Sequence, residues 1–131
     1  MLDHMTLLVA DVARTKSFYD AALMPVGIAV VFSVLAEETG TQAYHGYGSG
    51  GRPYFWIGHG GAATGPMHVA FTAPTRAAVD AFYAAALAAG GRDNGPPGVR
   101  PHYHPSYYGA FVLSPDGHNV EAVCHAPAVI E

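Results

Sequence analysis

Basic residues are scarce in this chain. Six Lys and Arg stand against ten Asp and Glu among 131 residues, for a formal net charge of −4. A surface that tracks phosphate backbones needs clustered positive charge, so nucleic acid is not an expected partner. Cysteine is nearly absent. The single Cys124 excludes an internal disulfide and any zinc site built on several thiolates, and it suits a reducing cytoplasm. No apolar run approaches the ~20 residues that span a bilayer, so no membrane segment is expected. The N-terminus "MLDHMTLLVADVARTK" carries acid early and base late, the reverse of a secretory leader. Charged residues of both signs make up only 12%, whereas half the chain is hydrophobic. A packed core is easily built from such a composition, and disorder is not expected. The expectation is a globular, cytoplasmic protein of one domain.

What is present is a duplication. "HMTLLVADVARTKSFYDAAL" begins at His4 and "HVAFTAPTRAAVDAFYAAAL" at His68. Laid together without a gap they superimpose His4 on His68, Phe18 on Phe82, Tyr19 on Tyr83, and Ala22 and Leu23 on Ala86 and Leu87. Each copy starts as a strand; in the first, His4, Thr6 and Leu8 alternate with Met5, Leu7 and Val9. A helix follows each, with Asp11 and Thr75 as N-caps. Val79, Phe82, Tyr83, Ala86 and Leu87 trace a packed helical stripe that Gly90-Gly91 ends. After the first helix come three strand-like runs, "VGIAVVFS", "TQAYHGYG" and "RPYFWIG". After the second come a Gly/Pro-rich stretch (94–101), then "YYGAFVLS", the turn "SPDG" and "HNVEAVCH". The fold class expected is α+β: two βαβββ modules, 1–60 and 61–131, with a linker at 58–66, forming a curved mixed sheet around a central trough.

The strip from His102 to His125 holds four of the eight histidines, three tyrosines and Glu121. The repeat places His4 and His68 at equivalent points of equivalent strands. Glu121 shares a strand face with Asn119, Val123 and His125, opposite to His118 and Cys124. Two neutral imidazoles and one carboxylate form a three-point set for a divalent metal that leaves coordination positions open. Around it, His102, His104, Tyr103 and Tyr107 or Tyr108 form a pocket wall and candidate proton carriers. Only one of the two adjacent tyrosines can face the trough, and the alternation leaves open which. Tyr44, Tyr47, Tyr54, Phe55 and Trp56 supply either apolar pocket walls or core.

The paired modules, with "DHMTLLVADV", "SFYDAAL", "MHVAFTA" and "SPDGHNVEAV", resemble the vicinal oxygen chelate superfamily. That group includes glyoxalase I, extradiol dioxygenases, fosfomycin-resistance enzymes and bleomycin-binding proteins. The resemblance implies a cupped sheet, a homodimer, and a metal (iron, manganese, nickel or zinc) held at positions matching His4, His68 and Glu121. It implies a small substrate chelated through two oxygens, with lyase, isomerase or dioxygenase chemistry. The bleomycin-binding members imply the alternative of a metal-free small-molecule binder. The chain departs from each branch. Glyoxalase I carries a fourth-strand glutamate, and the 64-residue offset puts Ile57 there; His59, after Gly58, reads as a loop residue. The fosfomycin enzymes share a threonine at the position of Thr6, but their tyrosine ten residues before the glutamate is here Phe111, with nothing basic after it. The extradiol pattern allows His102 or His104 as acid/base catalyst and needs Tyr107 or Tyr108 to stand in for the tyrosine.

Overall fold

The computed structural model describes residues 2–40, 43–60 and 66–128. Strand β1 (Met5–Val9) alternates as its sequence requires: Leu7 and Val9 are buried while Thr6 and Leu8 face outward. Helix α1 (Val12–Leu23) starts at Asp11, whose carboxylate accepts the Arg14 N–H at 3.0 Å. A 3-10 turn (Met24–Val26) carrying Pro25 follows. Then come β2 (Ala29–Val34), the short α2 (Ala36–Thr39), β3 (Tyr44–Ser49) and β4 (Arg52–His59). The second half repeats the pattern with β5 (His68–Thr72), α3 (Arg76–Ala88), β6 (Arg92–Val99), β7 (Tyr108–Leu113) and β8 (Asn119–Cys124). The Thr75 hydroxyl caps α3, accepting the Ala78 N–H at 3.0 Å.

Each half builds a four-stranded mixed sheet, in the orders β1-β4-β3-β2 and β5-β8-β7-β6. In both, the first strand runs parallel to the last and the other neighbours are antiparallel. The architecture is thus α+β with two βαβββ units, and β1 and β5 stand at sheet edges. No described helix is long and apolar enough to cross a membrane.

Three details differ from expectation. The Gly/Pro-rich stretch is mostly strand: β6 includes Pro96 and Pro97, tolerated because β6 is an edge strand whose ladder with β7 slips twice. His59 is the last residue of β4, paired with Val9, rather than part of a loop. The helical turn α2 was not signalled by any periodicity.

Helices α1 and α3 pack together and cover one face of each sheet. The strand residues facing them fill the core: Leu7, Val9, Tyr47, Phe55 and Ile57 in the first half, Phe71, Ala110, Val112, Val120, Ala122 and Cys124 in the second. Ring contacts from Tyr19 to Phe55 (5.0 Å) and from Phe55 to Phe71 (5.2 Å) join the halves. The opposite face of each sheet is left open.

Strand pairing corrects the offset used to find the counterpart of Glu121. Thr6 pairs with Trp56 and Ala70 with Glu121. Thr6 and Ala70 are 64 residues apart, whereas Trp56 and Glu121 are 65 apart. One residue has been gained between first and last strands, so the counterpart is Trp56, on the open face. Ile57 is fully buried against the helices and corresponds to Ala122.

One polar contact ties the halves across the core. The Thr15 hydroxyl, fully buried, donates to Asp116 Oδ2 at 2.7 Å, and Arg14 reaches the other carboxylate oxygen at 3.6 Å. Asp116 sits in the β7–β8 turn, which Gly117 closes with φ of 86° and an N–H to Ser114 carbonyl bond of 2.8 Å. Asp116→Ala strands a buried hydroxyl and is expected to cost about 1–3 kcal/mol in urea unfolding. Asp116→Asn, which keeps an acceptor, should cost clearly less.

Candidate metal centre and substrate pocket

The open face of the second sheet gathers the acid. The pairing of β5 with β8 sets His68 beside Asn119 and Ala70 beside Glu121, so His68 and Glu121 share one face. Glu121 is only 1% exposed. Its Oε1 lies 2.8 Å from His68 Nε2, and its Oε2 accepts from the Tyr107 phenol. Among the described residues no Lys or Arg pairs with it. Burying a carboxylate is costly without compensating charge, and among the described residues the half-exposed imidazole of His68 is the one basic group in direct contact with it.

Backbone contacts explain how Tyr107 reaches it. The Arg100 N–H donates to the Tyr107 carbonyl at 2.7 Å, the Tyr103 N–H to the Arg100 carbonyl at 3.0 Å, and the Tyr107 N–H to the His104 carbonyl at 3.1 Å. These turns fold the 100–107 loop over the sheet. Gly109 makes the room: a Cβ there would lie 3.2 Å from a Tyr107 ring carbon and 3.3 Å from Glu121 Oε2. Tyr107 then packs among Tyr103 (4.8 Å between ring centroids), His104 (5.4 Å) and His125 (5.4 Å). Tyr108 points the other way, its phenol 2.6 Å from Asp80 on α3 and its ring beneath Arg76. The strand alternation is resolved in favour of Tyr107.

His104 and His125 form a second imidazole pair, Nε2 to Nδ1 at 2.8 Å. His104 Nδ1 accepts the Ser106 N–H at 3.0 Å. Its proton therefore belongs on Nε2, which donates to His125. His102 is exposed and packs at a tilt against Tyr103, with ring centroids 4.3 Å apart, without touching Glu121. His118 is buried and accepts the Met67 N–H at 2.9 Å through Nδ1, fixing the entry to β5 rather than facing the site.

The first sheet holds the remaining candidates. His4, Thr6, Tyr44, Arg52 and Trp56 line a concavity of about 440 Å³, and Phe32 packs edge-on to Trp56 at 6.2 Å. Tyr47 and Phe55 are core instead, and Tyr47 donates to Asp20 at 2.8 Å. His4 Nδ1 lies 2.7 Å from Asp3 Oδ2. Among the described residues no three of His, Cys, Asp and Glu gather closely enough to hold a metal ion. Within one chain His4 is therefore apart from the His68–Glu121 pair.

A cation beside the site was missed from the sequence. Nothing basic follows Phe111, but Arg100, eleven positions before it, folds back so that its guanidinium lies 5.5 Å from the Phe111 ring centroid. Phe111 in turn contacts the His68 ring at 6.1 Å. The glycines at 95 and 98 were the available signal, since they leave space for that side chain.

The family model described as Glyoxalase/Bleomycin resistance protein/Dioxygenase superfamily matches residues 1–122. The chain belongs to that superfamily. No curated protein gives a significant match. Among solved structures, a glyoxalase/bleomycin resistance protein from Albidiferax ferrireducens T118 is 28% identical with a TM-score of 0.73, covering 93% of this chain and 96% of that one. A mutant of the fosfomycin resistance protein FosX from Listeria monocytogenes, complexed with manganese(II) and a dihydroxypropylphosphonic acid, is 20% identical with a TM-score of 0.66, over 98% and 91% of the two chains. A mutant of glyoxalase I from Zea mays is 20% identical with a TM-score of 0.69, covering 93% of this chain and 46% of that one. The last two likenesses speak to the superfamily fold.

Three phenols are held well above the ordinary tyrosine range. Burial is the first cause for Tyr19, Tyr47 and Tyr107; the Asp116 carboxylate adds to it at Tyr19, Asp20 at Tyr47 and Glu121 at Tyr107. A raised pKa favours the protonated phenol in the folded state, so this stability is complete below the unfolded value near 10 and is lost as pH climbs above it. Denaturant unfolding should therefore weaken from about pH 10 upward, and absorbance titration of the eight tyrosines should leave these three silent until the protein unfolds. Uniform titration of all eight near pH 10 in the folded protein would contradict this.

Proposed function

We propose that the protein is a divalent-metal-dependent enzyme of its superfamily, acting on a small oxygen-chelating substrate by lyase, isomerase or dioxygenase chemistry. The observation that carries this reading is Glu121: a carboxylate 1% exposed with no Lys or Arg partner among the described residues. The donors suit such an ion. His68 Nε2 and Glu121 Oε1 are 2.8 Å apart, a spacing compatible with neighbouring ligands bound at about 2.0–2.2 Å. Iron, manganese, nickel and zinc all accept imidazole and carboxylate. His4 completes the set from a second copy of the chain. Its separation from the pair within one chain and the edge positions of β1 and β5 favour a homodimer in which each site is shared.

Bound there, the metal would act as a Lewis acid on two substrate oxygens. This chain's own groups do the rest. Tyr107 holds its proton against Glu121 Oε2, orienting the carboxylate. His104, its tautomer set by Ser106, is the group placed to move a proton, with His125 as its relay. The open face of the first sheet, with Thr6, Tyr44 and Trp56, walls the substrate. Phe111 lies beside His68 as a further wall, while Tyr108 and His102 have no contact with the acid. Glyoxalase I chemistry proper is disfavoured because Trp56 occupies the position of a fourth-strand acid.

The second reading, a metal-free small-molecule binder, draws support from the aromatic concavity and from the lack of three converging ligands among the described residues of one chain. Elemental analysis after loading with manganese(II) separates the two. The enzyme reading expects about one ion per site in the wild type and at least a tenfold weaker metal affinity in His68→Ala, as one ligand is lost. Mixing His4→Ala subunits with Glu121→Gln subunits should restore one intact site per mixed dimer. Equal metal content in wild type and His68→Ala would favour the binder.

A further inference from the structure

Arg100 is a partly buried cation with no carboxylate of its own. One Nη2 hydrogen bond goes to the Pro96 carbonyl at 2.7 Å, and the guanidinium lies over Phe111. No Asp or Glu pairs with it among the described residues. The chain makes specific room for this placement. A Cβ at Gly98 would come within 2.9 Å of Arg100 Nη1, and one at Gly95 within 3.3 Å of Nη2 and 3.0 Å of the Phe111 ring. The backbone of Arg100 is also clamped to Tyr107, the residue that covers Glu121. A guanidinium carries five N–H donors in a planar fork that matches an oxyanion, and most of these remain uncommitted. The open face of the second sheet thus presents a chelating pair, His68 and Glu121, then a flat ring, Phe111, which also touches the third group, an unpaired guanidinium.

We propose that Arg100 recognises a carboxylate on the substrate. The substrate class is a planar compound with two vicinal oxygens at one end and a carboxylate about one ring's width away. The chelating end of that description rests on the metal-centre reading; the carboxylate end stands on Arg100 and Phe111 alone.

Two matched pairs of probes test it by calorimetric or NMR titration: benzoate against benzyl alcohol on metal-free protein, and 3,4-dihydroxybenzoate against catechol on manganese-loaded protein. Wild type should prefer the carboxylate member of each pair about tenfold or more, the scale of a charge-assisted hydrogen bond. Arg100→Gln should abolish the preference and Arg100→Lys retain part of it, with melting temperature and metal content unchanged. Absence of a preference in wild type, or its persistence in Arg100→Gln, overturns the proposal. Tighter binding of phenylphosphonate than of benzoate overturns the carboxylate in particular. The benzoate pair reads Arg100 without metal, so a protein that fails to hold manganese contradicts the metal centre and still decides this question.

Discussion

A carboxylate withdrawn from water organises the open face of the second sheet. Glu121 is buried on the open side of a sheet, and its two oxygens face an imidazole and a phenol. The phenol satisfies hydrogen bonding and leaves the charge in place. His68 offers a positive charge only when protonated, and its side chain is half exposed. A buried charge of this kind is by itself weak evidence of a contribution to stability. The proposed function accounts for it by a cation that arrives from solution.

The duplicated fold supplies the setting. Because α1 and α3 take one face of each sheet, the other face is free, and period-two alternation decides which side chains reach it. In the second sheet that face carries His68, Glu121 and Phe111; in the first it carries Thr6 and Trp56. The two modules have diverged in role. The residue paired with Thr6 is the indole of Trp56, where the residue paired with Ala70 is the acid of Glu121. The open face of one module carries His68 and Glu121, and that of the other carries an aromatic wall beside His4.

Much of this was legible in the sequence because it depends on local rules. The first strands, both N-caps, the stripe of α3 and the Pro-Asp-Gly turn follow from alternation, periodicity and turn chemistry, and the repeat brought His68 into view as a counterpart of His4. The failures share a physical cause: they depend on register or on loop closure, which a linear offset does not encode. A one-residue gain moved the counterpart of Glu121 from Ile57 to Trp56. Two prolines hid β6, whose edge position excuses them. Tyr107 could be chosen over Tyr108 only after the 100–107 loop was seen to fold back. Arg100 escaped notice because it precedes Phe111 by eleven residues and meets it only across the bulged β6–β7 ladder. The separation of His4 from His68 and Glu121 is likewise a matter of how the modules pack, not of residue type.

The most direct test concerns the charge itself. Thermal unfolding of wild type and Glu121→Gln, each with and without manganese(II), asks whether the buried carboxylate exists for a cation. Ligand linkage predicts that metal raises the wild-type midpoint by several degrees, with little effect on Glu121→Gln, and that the metal-free variant melts no lower than metal-free wild type. An equal response of the two proteins to manganese, or none in either, would contradict the account.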